Sequence, residues 1–556
     1  MTDTSPPPAS ATTPAPANPS GQASHNGTGA AVDGSSRPEA SQPLAQRGDN
    51  RSRRPDNQAF RDFIASGWGP RSHELPDALP SAPWAAARRH RLGQLFPGER
   101  LVLPAGSLQV RNNDCDYRFR PHSAFAHLVG TGTDFEPDAV LVLDPLAGSH
   151  VLAQAEGARP GAQTAATHEA VLYFRPRASR SSEEFYASAR YGELWVGARP
   201  SLEEVEAATG IRCAPIDALG EALARDAGPV RLRVIAEADP AVTALVATTR
   251  HAAGLPGGQE AQELDDRLAE AASELRLRKD TWEVSQLRAA VEATRTGLED
   301  LIRSLPRATR HWRGERVLEG AFAARAREEG NGLGYDTIAA AGDHANTLHW
   351  ITNDGPVRPG DLVLVDAGVE VDSLYTADVT RTIPVDGRFT EPQRRVYQAV
   401  LDAADAAFAR ASEPGCRFRD VHAAAMEVIA DRLEQWGLLP KGVTAQDSLA
   451  PEGQYHRRWM VHGTSHHLGL DVHDCAQARR ETSVDAVLEP GMCFTIEPGL
   501  YFRSDDLLVP PELRGTGVRI EDDVVVCEDG RVASLTAGIP RTVIEVEEWV
   551  STLLGE

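Results

Sequence analysis

The sequence predicts an α+β C-terminal domain built on a diverged internal repeat, preceded by an α/β domain of its own and by a tail with no core-forming residues. Three observations carry that prediction. Residues 358–368 (RPGDLVLVDAG) and 489–499 (EPGMCFTIEPG) share one frame: Pro-Gly, five further residues, then an acid, which falls on Asp366 and on Glu497. Each acid is followed on the next strand-like run by another, Asp378 in TADVTRTIPV and Glu521 in GVRIEDDVVV. Amphipathic helical runs alternate with these strands, so helices are expected outside a sheet whose inner face holds the acids. A chain of 556 residues is also too long for one ordinary core.

Taken in order, residues 1–58 have no aromatic and only Val32 and Leu44 as branched aliphatics. Such a segment cannot bury enough surface to offset its ordering entropy, and it is expected to be disordered. Deleting residues 1–55 should therefore leave folding and kcat unchanged, and a folding defect on truncation would show that the tail is docked. Residues 59–258 mix a helix near 88–96 with strands at AVLVLD, AVLYFRP and VRLRVIAE, an α/β domain. A helical stretch follows over 259–303, with Val284, Leu287, Val291, Leu298 and Leu301 near helical spacing. Its part 259–282 is read as a linker and 283–556 as the C-terminal domain. There, Thr390 and Gln393 form a capping-box signature ahead of Val396, Val400, Ala404 and Phe408. A second helix uses Phe418, His422, Met426, Ile429 and Leu433 and stops at Gly437.

Four acids brought together by two facing halves cannot all stay ionised alone, because like charges and desolvation both raise their pKa values. Cations solve that problem. Between the repeats, residues 461–474 (VHGTSHHLGLDVHD) place His462, His466 and His473 among glycines. Carboxylates with one imidazole suit Mn²⁺, Zn²⁺ or Co²⁺, and two such ions about 3.5–4 Å apart can share carboxylate bridges. No cysteine cluster points to a structural zinc. A lone Asp after a strand is ordinarily a turn residue, and His344, His422 and His467 are read as ordinary structural histidines. His467 adjoins His466 and should point elsewhere.

The runs DAGVEVDSLYTADVTRT, HGTSHHLGLDVHD, FTIEPGLY and GVRIEDD resemble those of the pita-bread metallopeptidases, most closely the Xaa-Pro aminopeptidases, over roughly residues 88–543. The resemblance implies a pita-bread domain with a pseudo-twofold repeat, and an N-terminal α/β domain of the creatinase and prolidase type, which RNNDCDYRFRP also resembles. It implies that Asp366 and Asp378 bind one divalent ion, that His466 and Glu497 complete the shell of a second, and that Glu521 bridges with Asp378. Mn²⁺ is the expected metal. Glu497 is further implied as general base, His349, His462 and His473 as catalytic groups around the substrate, Arg519 as a residue orienting a ligand carboxylate, and Trp195 and Tyr335 as substrate-binding aromatics. The implied reaction is release of the N-terminal residue from peptides with proline second, by a hydroxide bridging two ions. A dipeptide-only prolidase is the alternative. One departure is visible, an extra residue near Asp372 and Ser373 that a hairpin tip can absorb.

The net charge of −23 disfavours nucleic acid or an anionic membrane as partner. Peptide substrate is the expected partner, together with further copies of the chain in a dimer or tetramer, as the family resemblance implies. Cysteines 115, 213, 416, 475, 493 and 527 show no paired spacing, and no run has the length of a membrane span or the pattern of a signal peptide. A cytoplasmic location is expected.

Overall fold

The computed structural model describes residues 57–133, 135–146 and 166–555. The predicted tail lies outside them except at its end, where Asn57 accepts from the Phe60 amide and caps a helix over Gln58–Ala65. That helix begins inside the predicted tail because Phe60 finds Tyr186, edge to face at 5.3 Å. No helix among the described residues is long and apolar enough to cross a membrane.

The N-terminal domain is a mixed five-stranded sheet in the order Arg212–Pro215, His168–Phe174, Val140–Pro145, Arg100–Pro104, Leu232–Val234. Its central strands are apolar at successive positions because both faces are covered. Leu101, Leu103, Leu141 and Leu143 face one core with Leu92, Phe125 and Leu268. Val102, Val140 and Val142 face the other, against Leu223, Val242 and Val246.

The helical stretch predicted as one run over 259–303, linker 259–282 included, is broken in two: Gly258–Leu275, which packs on the N-terminal sheet, and Thr281–Arg303, which packs in the C-terminal core. Long-range contacts override the local helical pattern between them. The Lys279 amide bonds to Gly491 O at 2.8 Å, and Arg278 pairs with Met492 as an isolated bridge. Lys279 Nζ and Arg276 Nε reach Asp474 at 3.2 and 2.9 Å. Asp280 then starts the second helix through a capping box with Glu283. Arg88 of the N-terminal domain binds Asp280 at 2.7 Å, and Tyr375 of the C-terminal domain donates to Glu283 at 2.8 Å, so this break joins both domains.

In the C-terminal domain the strands Ile338–Ala341, Leu362–Ala367 and Val379–Pro384 form one antiparallel sheet, and Cys493–Ile496, Asp522–Val526 and Val532–Ser534 form its counterpart. Helices Glu391–Ala411 and Phe418–Gln435 lie outside them. Val396, Val400, Ala404, Met426, Ile429 and Leu433 are buried; Phe408 is half-buried at the edge of the same core. Gln393 Oε1 accepts from the Thr390 amide at 2.9 Å, and Gly437 takes the left-handed conformation, φ +69°, just past the second helix.

The hairpin tip at Asp372, where the sequence comparison places an extra residue, is not free. Asp372 O accepts from the Thr133 amide at 2.9 Å, and a Cβ on Gly132 would lie 1.9 Å from the same oxygen. Only glycine permits this approach between the domains. Gly132→Ala is expected to destabilise the protein by about 1–3 kcal/mol, the usual range for overpacking, read as a lowered Tm; an unchanged Tm would show that the contact does not form.

Candidate metal centre

The two halves present their acids at matching places. Asp366 is the penultimate residue of its strand and stands opposite Thr380, while Asp378 immediately precedes the partner strand. Ile496 stands opposite Asp522, so Glu497 follows one strand and Glu521 precedes the other at the same end. Gly368 allows the first hairpin to close between its two acids, since a Cβ there would meet Ala377 O at 1.8 Å. The halves are stitched across the middle: the Glu521 amide donates to Thr380 O at 3.1 Å, and buried Arg381 donates to Glu521 O at 2.7 Å.

His466 arrives on an extended segment that runs along strand Cys493–Ile496. The Thr495 amide donates to His466 O at 3.0 Å, and the Leu468 amide to Cys493 O at 3.1 Å. Extended backbone sends neighbouring side chains to opposite sides. His466 therefore points at the acids, and His467 stacks on Phe418 with ring centroids 4.5 Å apart. His344 and His422 are likewise engaged elsewhere, with Glu315 and Thr464.

Asp366, Asp378, His466, Glu497 and Glu521 all line one cavity of about 500 Å³. His349, His462, His473, Tyr335 and Arg519 line it too. His466 Nε2 lies 3.3 Å from Asp378 Oδ2, 3.7 Å from Glu497 Oε1 and 3.9 Å from Glu521 Oε1. One atom from each of Asp378, His466 and Glu521 falls within 4.8 Å of the others, close enough to share an ion. Arg519 Nη2 reaches Asp366 Oδ2 at 2.5 Å, and the Tyr335 hydroxyl lies between Asp366 Oδ1 at 2.7 Å and Asp378 Oδ1 at 2.5 Å. His473 stands edge to face with His466, centroids 4.5 Å apart. Trp195 is outside the cavity, on the N-terminal domain, where its indole donates to Tyr186 O at 2.7 Å.

The electrostatics of the cluster call for positive charge. Burial, reinforced by Asp378 and Asp366, pushes Glu497 up to about 8 despite His466 and Arg519. Burial and the neighbouring acids raise Glu521 well above the carboxylate range. Burial opposes a charge on His466, yet Asp378 and Glu497 hold it up at about 9. Glu521 Oε1 is buried with no hydrogen-bond partner, an expense that a coordinated cation removes. The donor set of carboxylate oxygens and one imidazole nitrogen fits hard or borderline divalent ions.

Several participants carry no signal in the sequence by themselves. Thr380 donates to Glu521 Oε2 at 2.7 Å and accepts from Arg519 Nε at 3.1 Å, so it joins an arginine to an acid. The Tyr501 hydroxyl lies 2.7 Å from His462 Nε2 and accepts from Arg519 at 3.2 Å. Its place in FTIEPGLY, four residues after Glu497, is the one local hint.

Paired carboxylate hairpins around a histidine-lined cavity, carried on this two-domain fold, define a metal-dependent hydrolase, and the chain belongs to metallopeptidase family M24. Residues 285–528 match that family, and residues 85–232 match the aminopeptidase P N-terminal domain. It is 47% identical over 494 residues to Xaa-Pro aminopeptidase 2 of Streptomyces coelicolor, covering 89% of this chain and 96% of the relative. The Xaa-Pro aminopeptidase of Escherichia coli is 30% identical over 83% of this chain and 95% of its own. Among solved structures, aminopeptidase PepP of Pseudomonas aeruginosa superposes with a TM-score of 0.68 at 30% identity, covering 86% of this chain and 100% of that one. Aminopeptidase P of Escherichia coli with the inhibitor Pro-Leu gives 0.70 at 27% identity over 86% and 100%. These likenesses span both domains, as the pita-bread expectation requires.

Proposed function

We propose that this metallopeptidase removes the N-terminal residue from peptides with proline in second position. The convergence of five ligand-type side chains and three further histidines on one cavity, with a buried Glu521 oxygen left unpaired, supports metal-dependent hydrolysis, and the preference for proline rests on the 47% identity to Xaa-Pro aminopeptidase 2 of Streptomyces coelicolor. In this reading Asp366 and Asp378 would hold one ion and His466 and Glu497 the other, with Asp378 and Glu521 serving both. Two bound divalent ions would supply charge to polarise the scissile carbonyl and make a water nucleophilic near neutral pH.

The chain's own groups do the rest. Arg519 and Tyr335 fix the Asp366 and Asp378 carboxylates through hydrogen bonds, which keeps ligand oxygens aimed inward. With cations bound, Glu497 would regain its ionised form, and its carboxylate would then accept a proton from water. His473 is exposed at the cavity wall, and partial desolvation there lowers its pKa, so it is neutral at pH 7 and offers an N–H to the developing oxyanion. Burial and the Arg519 charge bring His462 down to about 4, so it too is neutral; its bond to Tyr501 sets its ring beside the proline side of the cut. His349 contacts the substrate from the opposite loop.

The same reading takes Mn²⁺ as the metal, a cytoplasmic location, and a dimer or tetramer in which exposed Trp195 reaches substrate across a subunit boundary. It also keeps the division into a domain of 59–258, a connection of 259–282 and a catalytic domain of 283–556. Purified enzyme with Mn²⁺ should cleave longer Xaa-Pro-initiated peptides and spare Met-Ala-initiated ones. Cleavage of Xaa-Pro dipeptides alone would make it a prolidase, and hydrolysis of Met-Ala peptides at equal rate would remove the proline preference.

A further inference from the structure

We propose that Glu315, outside the catalytic cavity, is the positioning residue for the loop that presents His349, an inference that rests on the role given to His349 above. Glu315 is fully buried in the first turn of the helix Gly314–Glu329, where the helix dipole favours an anion. Its carboxylate accepts four hydrogen bonds. Oε1 takes the Ala341 amide at 2.8 Å and His344 Nδ1 at 2.7 Å. Oε2 takes Trp350 Nε1 at 2.9 Å and the Gly355 amide at 2.6 Å.

These four donors are spread along one stretch of chain. Ala341 ends the strand before the loop, Gly355 closes the loop, and His344 and Trp350 lie within it, stacked on each other with centroids 4.0 Å apart. The Glu315 amide also donates to Gly355 O at 3.1 Å, so the loop's end is locked in both directions. His349, directly before Trp350, is exposed at the cavity wall, and Leu348 and Ile351 line the cavity beside it. The imidazole therefore takes its position from the loop backbone, and one carboxylate fixes that backbone at both ends and in its middle. Buried Asn353 adds a second tie, accepting from the Ala339 amide at 2.9 Å and donating to Thr337 O at 2.8 Å. A buried carboxylate meeting four donors is costly to alter, because its amide isostere turns an N–H₂ toward the Ala341 amide or toward Trp350 and the Gly355 amide, which can only donate.

The test uses the metal-loaded full chain carrying Glu315→Gln, alone and combined with His349→Ala. Hydrogen exchange over residues 342–355 should quicken in Glu315→Gln, with two ions still bound per chain. The kcat/KM for an Xaa-Pro-initiated peptide should fall roughly tenfold or more in the native background and less than about threefold when His349 is already Ala. Trp350→Phe, which removes a single donor, should give the same pattern at smaller amplitude and serves if Glu315→Gln does not fold. Unchanged exchange would overturn the anchoring, and equal losses in both backgrounds would overturn the route through His349. Faster exchange in an enzyme whose native form cleaves no Xaa-Pro peptide would instead sink the proposed function, and with it the His349 half of this inference.

Discussion

Asp378→Ala or Glu521→Ala is expected to abolish peptide hydrolysis and to reduce bound metal below two ions per chain. Each is buried among other acids, and Asp378 and Glu521 lie 3.3 and 3.9 Å from the same His466 nitrogen. On the proposed assignment each would serve both ions, so neither ion could compensate for its loss. Metal analysis of the purified variants beside their activity decides the matter: two ions retained in either variant would remove the ligand assignment. His467→Ala is the control. Its ring faces Phe418 and the core, so metal content should hold, and a loss matching that of His466→Ala would mean that the wrong neighbour has been assigned.

His473→Ala is expected to lower kcat by roughly 10² to 10³, the usual loss for one oxyanion donor, with two ions still bound. His462→Ala should lower kcat and raise KM as well, because its ring sits with Tyr501 on the side assigned to proline. Near wild-type kinetics for His473→Ala would take that residue out of the reaction. Loss of metal in either variant would show that a ligand had been read as a substrate contact.

The carboxylate frame is visible in the sequence because its signals are local. A Pro-Gly turn, a buried apolar strand and an acid recur at fixed spacing in two places, and both hairpins follow from that pattern. The opposed directions of His466 and His467 follow from backbone alternation alone. The break at residues 276–280 has no local signal: its partners, Asp474 and Gly491, lie about two hundred residues away, and no glycine or proline marks it. Glu315 belongs to no motif in the sequence, and Thr380 is only one residue of a strand-like run. Their partners become apparent only when the chain is folded.

The glycine at 132 and the hairpin tip at Asp372 meet as a matched pair, and this bears on how such a molecule can be rebuilt. The hairpin whose tip rests on the N-terminal domain is the one whose two sides carry Asp366 and Asp378. A chimera joining this catalytic half to a foreign N-terminal domain with any side chain at position 132 would drive that side chain into Asp372 and displace the arm that carries Asp366 and Asp378. Exchange between relatives should therefore succeed only when tip length and docking loop travel together, as a single heritable module.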